Sequence, residues 1–297
     1  EGIGAAVFVV GGEAGTGGSL ILRGQVPHAV YATEVLTEDG WMPSTPLPRP
    51  CVASAAAIFR GRMVVIGGRS NSGASGEVWA LNLITASEWE HLTTLKARHA
   101  CAAIVMMDKL YVLGGHDGFR ALSSVETLLL DASGKCTSES GNELLQGRVY
   151  FGAVSMRHAY GAMAVGGLVP KQLSSKGNSG SKQELSYSSS TERCGPTGYW
   201  MQGPELKQRR SACAVAAFQD SVIVAGGFDG SQRLAQVEVL KAGANEWAPL
   251  PSLSLRRSGC TMFSLAGKIY VLGGYDGISE HGVTEFLDVA AVDEGWQ

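Results

Sequence analysis

Residues 222–230 read VIVAGGFDG and residues 269–277 read IYVLGGYDG. Each is a short apolar run, a Gly-Gly pair, then an aromatic residue, Asp and Gly. The same pair closes an apolar run at Gly11-Gly12, Gly67-Gly68, Gly114-Gly115 and Gly166-Gly167, so it recurs every 47 to 60 residues. A repeat of this length is the signature of a propeller or array. The runs ahead of the pairs (AVFVV, RMVVI, KLYVL, YGAMAV, SVIVA, KIYVL) are β-branched or aromatic and too short for helices.

Three further strands complete each unit. A run with a shared Glu follows every pair, at Glu34, Glu77, Glu126, Glu192, Glu238 and Glu285. Trp follows in five units, at Trp41, Trp89, Trp200, Trp247 and Trp296. Unit three has polar KCTSESGNE instead, which predicts a short or irregular outer strand. From unit two onward a strand of small residues precedes the Gly-Gly strand across a turn, as in SAAAIF and SACAVAAF. Small residues suit strands converging on an axis, and Trp suits the wedge where blades splay apart. Four short strands, six times over and without a helical period, predict an all-β, six-bladed β-propeller with four-stranded antiparallel blades. Unit one opens directly on its Gly-Gly strand, so its blade is expected to lack an inner strand. Blades bury their faces only against neighbours, so residues 1–297 are expected to form one domain.

These residues carry a family resemblance. The ordered pattern of hydrophobic-Gly-Gly, Glu strand and Trp resembles kelch repeats along nearly the whole chain. The GGxDG form with paired Arg ahead of the inner strand (Arg209-Arg210, Arg256-Arg257) is most similar to the BTB–kelch substrate adaptors. In kelch propellers a strand from the far terminus often completes the first blade. That implies that the chain is a piece of a longer protein.

Composition narrows the functional classes. A formal net charge of −3, without a basic stripe, argues against nucleic acid. No apolar run approaches membrane-spanning length, no signal peptide is visible and no N-glycosylation sequon occurs. Of the six cysteines, Cys101, Cys213 and Cys260 each lie thirteen residues before a Gly-Gly, at one level of different blades. Ser54 and Ala153 take that place in units two and four. Small, buried, unbridged thiols are the reading, in a cytoplasmic or nuclear protein. Residues 168–190 are a Ser/Gly/Lys-rich insertion, read as a surface loop or as a phosphorylatable or partner-contacting lid.

Two sets of loops share one face of a propeller, and loops on a rigid scaffold carry binding residues. After Gly-Gly come Glu13, Arg69, His116, Leu168, Phe228 and Tyr275, then Asn71, Arg120 and Arg233. Fifteen residues before Gly-Gly come His99, Phe151, Ser211 and Ser258. Arg and aromatics are enriched at interface hot spots, and Arg pairs carboxylates bidentately. The resemblance implies partner-binding roles for Arg69 and Asn71 in GGRSN, Arg233 in GFDGSQRL, and Ser211, Ser258 and Tyr275. His99, Phe151, His116 and Phe228 depart from the adaptor pattern. The expected ligand is a protein or peptide segment with an acidic turn. Arg210, Arg257 and the repeated Glu read as structural, and the Asp of GGxDG is expected to bond its own loop.

No phosphate loop, HExxH or GxSxG occurs, and no cofactor, metal or catalytic residue is expected. The resemblance implies the substrate-recognition propeller of a cullin-type ubiquitin-ligase adaptor, with cullin contact made only by domains absent from this chain. A kelch scaffold outside ubiquitination, cytoskeletal or phosphatase-linked, is the alternative. A metal-dependent oxidase using His99 and His116 is the remote one.

Overall fold

A computed structural model describes residues 7–10, 33–37, 40–85, 87–131, 133–156, 161–171, 183–195 and 197–297. Gly11-Gly12, Glu13, His28, His158 and residues 172–182 of the insertion lie outside the described residues.

Four units form four-stranded antiparallel sheets with strands in chain order. Unit two has Ala55–Phe59, Arg62–Ile66, Glu77–Asn82 and Trp89–Thr94. Unit three has Ala102–Met106, Lys109–Leu113, Val125–Leu130 and Cys136–Ser140. Unit four has Gly152–Ser155, Ala162–Val165, Thr191–Cys194 and Trp200–Gln202. Unit five has Ala214–Phe218, Ser221–Ala225, Val237–Leu240 and Ala248–Leu250. Unit six has three strands, Thr261–Leu265, Lys268–Leu272 and Thr284–Asp288. A 3-10 helix, Val289–Glu294, then brings Trp296 and Gln297 back beside Leu287 and Phe286.

The inner strands of units two to six lie side by side in sequence, which makes these five sheets the blades of a β-propeller. Unit one is a three-stranded sheet, Val7–Val10, Thr33–Thr37 and Gly40–Pro43. Among the described residues it has no inner strand to join that series. The expectation of six blades is therefore corrected: the described residues build five. The Gly-Gly period counts middle strands, whereas a blade is built by inner strands meeting round an axis. The outer strand of unit three is also a regular five residues, despite its polar sequence. Its register is set by pairing with Val125–Leu130 rather than by a buried Trp.

Gly-Gly joins each blade to the next. The second Gly donates its N–H to a carbonyl of the following unit: Gly68 to Arg98, Gly115 to Arg148, Gly167 to Arg210 and Gly227 to Arg257, at 2.8–2.9 Å. In units two to five the first Gly has φ near +60° and no room for a side chain. A Cβ on Gly226 would sit inside van der Waals contact with the Arg257 carbonyl oxygen. Gly273 has the same φ of 63°, but its nearest neighbour would be 3.7 Å away. Both Ala variants meet left-handed strain of about 1–2 kcal/mol. Gly226→Ala adds overpacking, so it should cost about 1–3 kcal/mol more than Gly273→Ala in denaturant titrations. Equal costs would mean that the blade junction yields freely.

The repeated Arg and Glu form one device. Arg98, Arg148, Arg210 and Arg257 are fully buried and pair with Glu126, Glu192, Glu238 and Glu285 of their own blades. One guanidinium nitrogen of each donates to the carbonyl of the first Gly of the pair, at 2.7–2.8 Å. The second carboxylate oxygen of Glu192, Glu238 and Glu285 accepts a backbone N–H, from Leu145, Lys207 and Ser254. In unit two the pair is Arg49–Glu77, where Arg49 is 68% exposed, and Cys51 fills the place of the buried Arg. All six cysteines are free.

Candidate functional site

Five equivalent pairs mark the loop face: Val52 with Arg69, His99 with His116, Val149 with Leu168, Ser211 with Phe228, and Ser258 with Tyr275. In each, the residue leading into the inner strand bridges the residue just after Gly-Gly. The next residue along has positive φ in every unit: Ala53, Ala100, Tyr150, Ala212 and Gly259. Their backbones form a relay from blade to blade. Ala100 N–H donates to Ala53, Tyr150 to Ala100, Ala212 to Tyr150 and Gly259 to Ala212, at 2.7–3.0 Å. The relay over-determines four strained non-Gly residues and holds the rim pairs above it in fixed places.

Phe151 is not a rim residue. The stretch from Val149 to Gly166 is two residues longer than that from His99 to Gly114, and Val149 takes the position of His99. Phe151 drops to the level of Cys101, buried against Gly114 and Gly167. The residue equivalent to Cys101 in unit four is therefore Phe151, not Ala153.

Two clusters stand on the rim. The first joins units two, three and four. The rings of His99 and His116 lie 5.4 Å apart, and Tyr150 meets His99 edge-on at 6.4 Å. Burial, then the charges of His116 and Arg69, push the His99 pKa down to about 4. His99 is thus neutral near pH 7. Its contribution to stability is present above its unfolded pKa and fades as pH falls towards 4. Asn71 is exposed at the tip of the hairpin formed by Arg69–Ser70 and Gly73–Ala74, and Arg120 is exposed beside Asp117.

The second cluster joins units four, five and six. The Arg233 guanidinium lies 4.6 Å from the ring centre of Phe228 and 4.9 Å from that of Tyr275. Tyr187 closes on Phe228 edge-on at 5.4 Å. Cation–π contacts of this kind contribute about 0.5–2 kcal/mol each, so Arg233 is held by its neighbours and presented by them. Ser211 and Ser258 point their hydroxyls at the carbonyls of Phe228 and Tyr275, across their own rim pairs, at 3.5 and 3.4 Å.

The GGxDG carboxylates cap their own loops. Asp117 accepts N–H groups from Phe119 and Arg120, Asp229 from Ser231 and Gln232, and Asp276 from Ile278 and Ser279. Burial opposes the charge of Asp229. The N–H donors, the Ser231 hydroxyl and the Gln208 amide outweigh it and hold the pKa at about 2.

The sequence reading missed Tyr150 and Tyr187. Tyr150 stands where other units have Ala or Gly, a departure visible once the units are aligned on their buried Arg. Tyr187 lies on the return strand of the insertion, Leu185–Tyr187, which pairs with Leu168–Pro170. The two ends of that insertion are thus a β-ribbon rather than irregular loop. Among the described residues no three His, Cys, Asp or Glu are grouped to hold a metal, and no helix is long and apolar enough to cross a membrane.

The kelch motif matches residues 209–254 and 256–288, which are units five and six. A solved structure titled "Structure of YjhT" resembles this fold, with a TM-score of 0.70 at 14% identity over 90% of each chain. At that identity the likeness is one of fold, and it agrees with a β-propeller. The comparison with curated proteins finds no match. The chain is a β-propeller carrying kelch motifs, a class that suggests protein-interaction modules.

Proposed function

We propose that the loop face recognises a protein segment, with an acidic turn as its ligand, and that the chain is the substrate-recognition propeller of a cullin-type ubiquitin-ligase adaptor. The juxtaposition of Arg69 with the His99–His116 pair, together with an Arg233 packed against Phe228 and Tyr275 on the same loop set, carries this reading. Cationic groups meet carboxylates, and the flat aromatics take the body of a turn. Asn71 and Arg120 add exposed polar reach at the rim. Ser211 and Ser258 serve by shaping the rim backbone. Cullin contact belongs to other domains of the protein.

Arg69→Ala is the sharper test, because Arg233 also packs its neighbours. Partners captured from cell extract by the unaltered propeller should be lost with Arg69→Ala, while Tm shifts by no more than about 2 °C. The lost partners should share an acidic turn, and a cullin should co-precipitate with the full-length protein. Equal capture by both forms would move recognition off this face.

A further inference from the structure

A cleft of about 170 Å³ opens between the blades of units three and four, away from the loop-face clusters. Its apolar walls are Ile104, Tyr111 and Val125 from unit three and Ala162, Cys194 and Trp200 from unit four. Glu139 and Asn142 stand exposed at its mouth.

Its origin is legible residue by residue. Four positions before Gly-Gly, the middle strands carry Met63, Leu110, Ala162, Val222 and Ile269. Across the sheet these pair in register with Leu81, Leu128, Cys194, Leu240 and Leu287. Every blade but that of unit four fills this level with two large aliphatic side chains. Unit four places Ala and Cys there, both buried. Unit three answers with the pair Ile104 and Tyr111 where units two and five have Ala57 with Val64 and Ala216 with Ile223, and a cleft still remains. Backbone bonds from Gly115 to Arg148 and from Tyr150 to Ala100 fix the spacing of the two blades. Well-packed interiors do not leave such space without loss of contact energy.

We propose that this cleft is a binding site for a small molecule with a single aromatic ring and one hydrogen-bonding substituent. An apolar cavity of about 150 Å³ accepts one benzene ring. The walls here include two aromatic residues and one buried polar side chain, Thr127, while Glu139, Ser140 and Asn142 are exposed. The ring enters against Ala162 and Cys194, and the substituent meets Glu139 and Asn142. Glu139 is shared with Lys109 at 3.3 Å, both exposed, so a neutral donor such as a phenol hydroxyl fits without displacing an ion pair.

The test is a phenol titration of the protein labelled with ¹³C at its methionine methyls. Met106 lines the cleft, whereas Met42 is exposed and distant in sequence and sheet. The Met106 resonance should move and saturate at about millimolar phenol, the affinity expected for seven heavy atoms. Met42 should not follow it. Cys194→Leu, which installs the residue found in the other blades, should abolish the shift and keep Tm at or above its starting value. Ala162→Val should do the same independently. An unsaturable Met106 shift, or one that persists in both filled variants, would overturn the proposal.

Discussion

Arg148→Ala destabilises the propeller by about 3–5 kcal/mol, the cost of breaking a buried ion pair by removing one partner. Arg148 and Glu192 are both fully buried, with Nε donating to the carboxylate at 2.8 Å. The guanidinium also serves the carbonyls of Gly166 and Ser190 and the Ser190 hydroxyl, at 2.7–3.0 Å. Alanine leaves the Glu192 carboxylate with the Leu145 N–H as its remaining named donor. It also removes the side-chain donor to the Gly166 carbonyl, while the Ser190 carbonyl keeps the Gly166 N–H. Burial lowers the Arg148 pKa against the opposing pull of Glu192, so the pair costs desolvation even when intact. Its value lies in fixing where the blade begins. Arg49→Ala is the internal control. That Arg is largely exposed beside Glu77 at 3.1 Å, and its loss should cost less than about 1 kcal/mol. Urea titrations of the two variants decide the matter: similar costs would mean that the buried pairs do not organise the blades.

This device shows how far the sequence carried the fold. Gly-Gly, Glu and small-residue strands placed every sheet from unit two onward, because each is dictated by a local constraint. The partnership of Arg with Glu was harder to see, since neither local pattern nor period names a contact within a blade. One signal was present: Arg98–Glu126, Arg210–Glu238 and Arg257–Glu285 share a separation of 28 residues, lengthened to 44 in unit four by its insertion. The blade number failed for a different reason. Counting Gly-Gly counts middle strands, while a blade needs an inner strand to meet its neighbours, and unit one has none among the described residues.

The rim was legible in part. Loop-face residue types were found by their distance from Gly-Gly, and Arg233, Phe228 and Tyr275 do come together. A fixed distance misplaces a residue wherever a hairpin changes length, which is how Phe151 took the place of Val149. Nor does position reveal direction. Ser211 and Ser258 sit on the rim, yet their hydroxyls turn to carbonyls of the same rim pairs.

Trp247→Ala should cost about 3–5 kcal/mol, the range for truncating a buried aromatic that its neighbours cannot replace. The indole is 1% exposed in the wedge between units four and five, in a cluster with Met163, Val165, Leu206, Val222, Val224 and Leu240. Its Nε1–H donates to the Pro204 carbonyl at 3.0 Å, so it ties its own blade to the segment leaving the preceding one. Trp89 and Trp296 make the same bond to Thr45 and Pro251. Burial and bridging therefore act together, and Trp247→Phe separates them. Phe retains most of the apolar contact but removes one of two donors to the Pro204 oxygen, which keeps the Thr191 hydroxyl at 2.8 Å, so it should cost at most about 1 kcal/mol beyond the lost area. Both variants are read by denaturant unfolding. Trp247→Ala at under about 1 kcal/mol would show that the blades are held by their backbone staples alone, and the role assigned to the repeated Trp would fall with it.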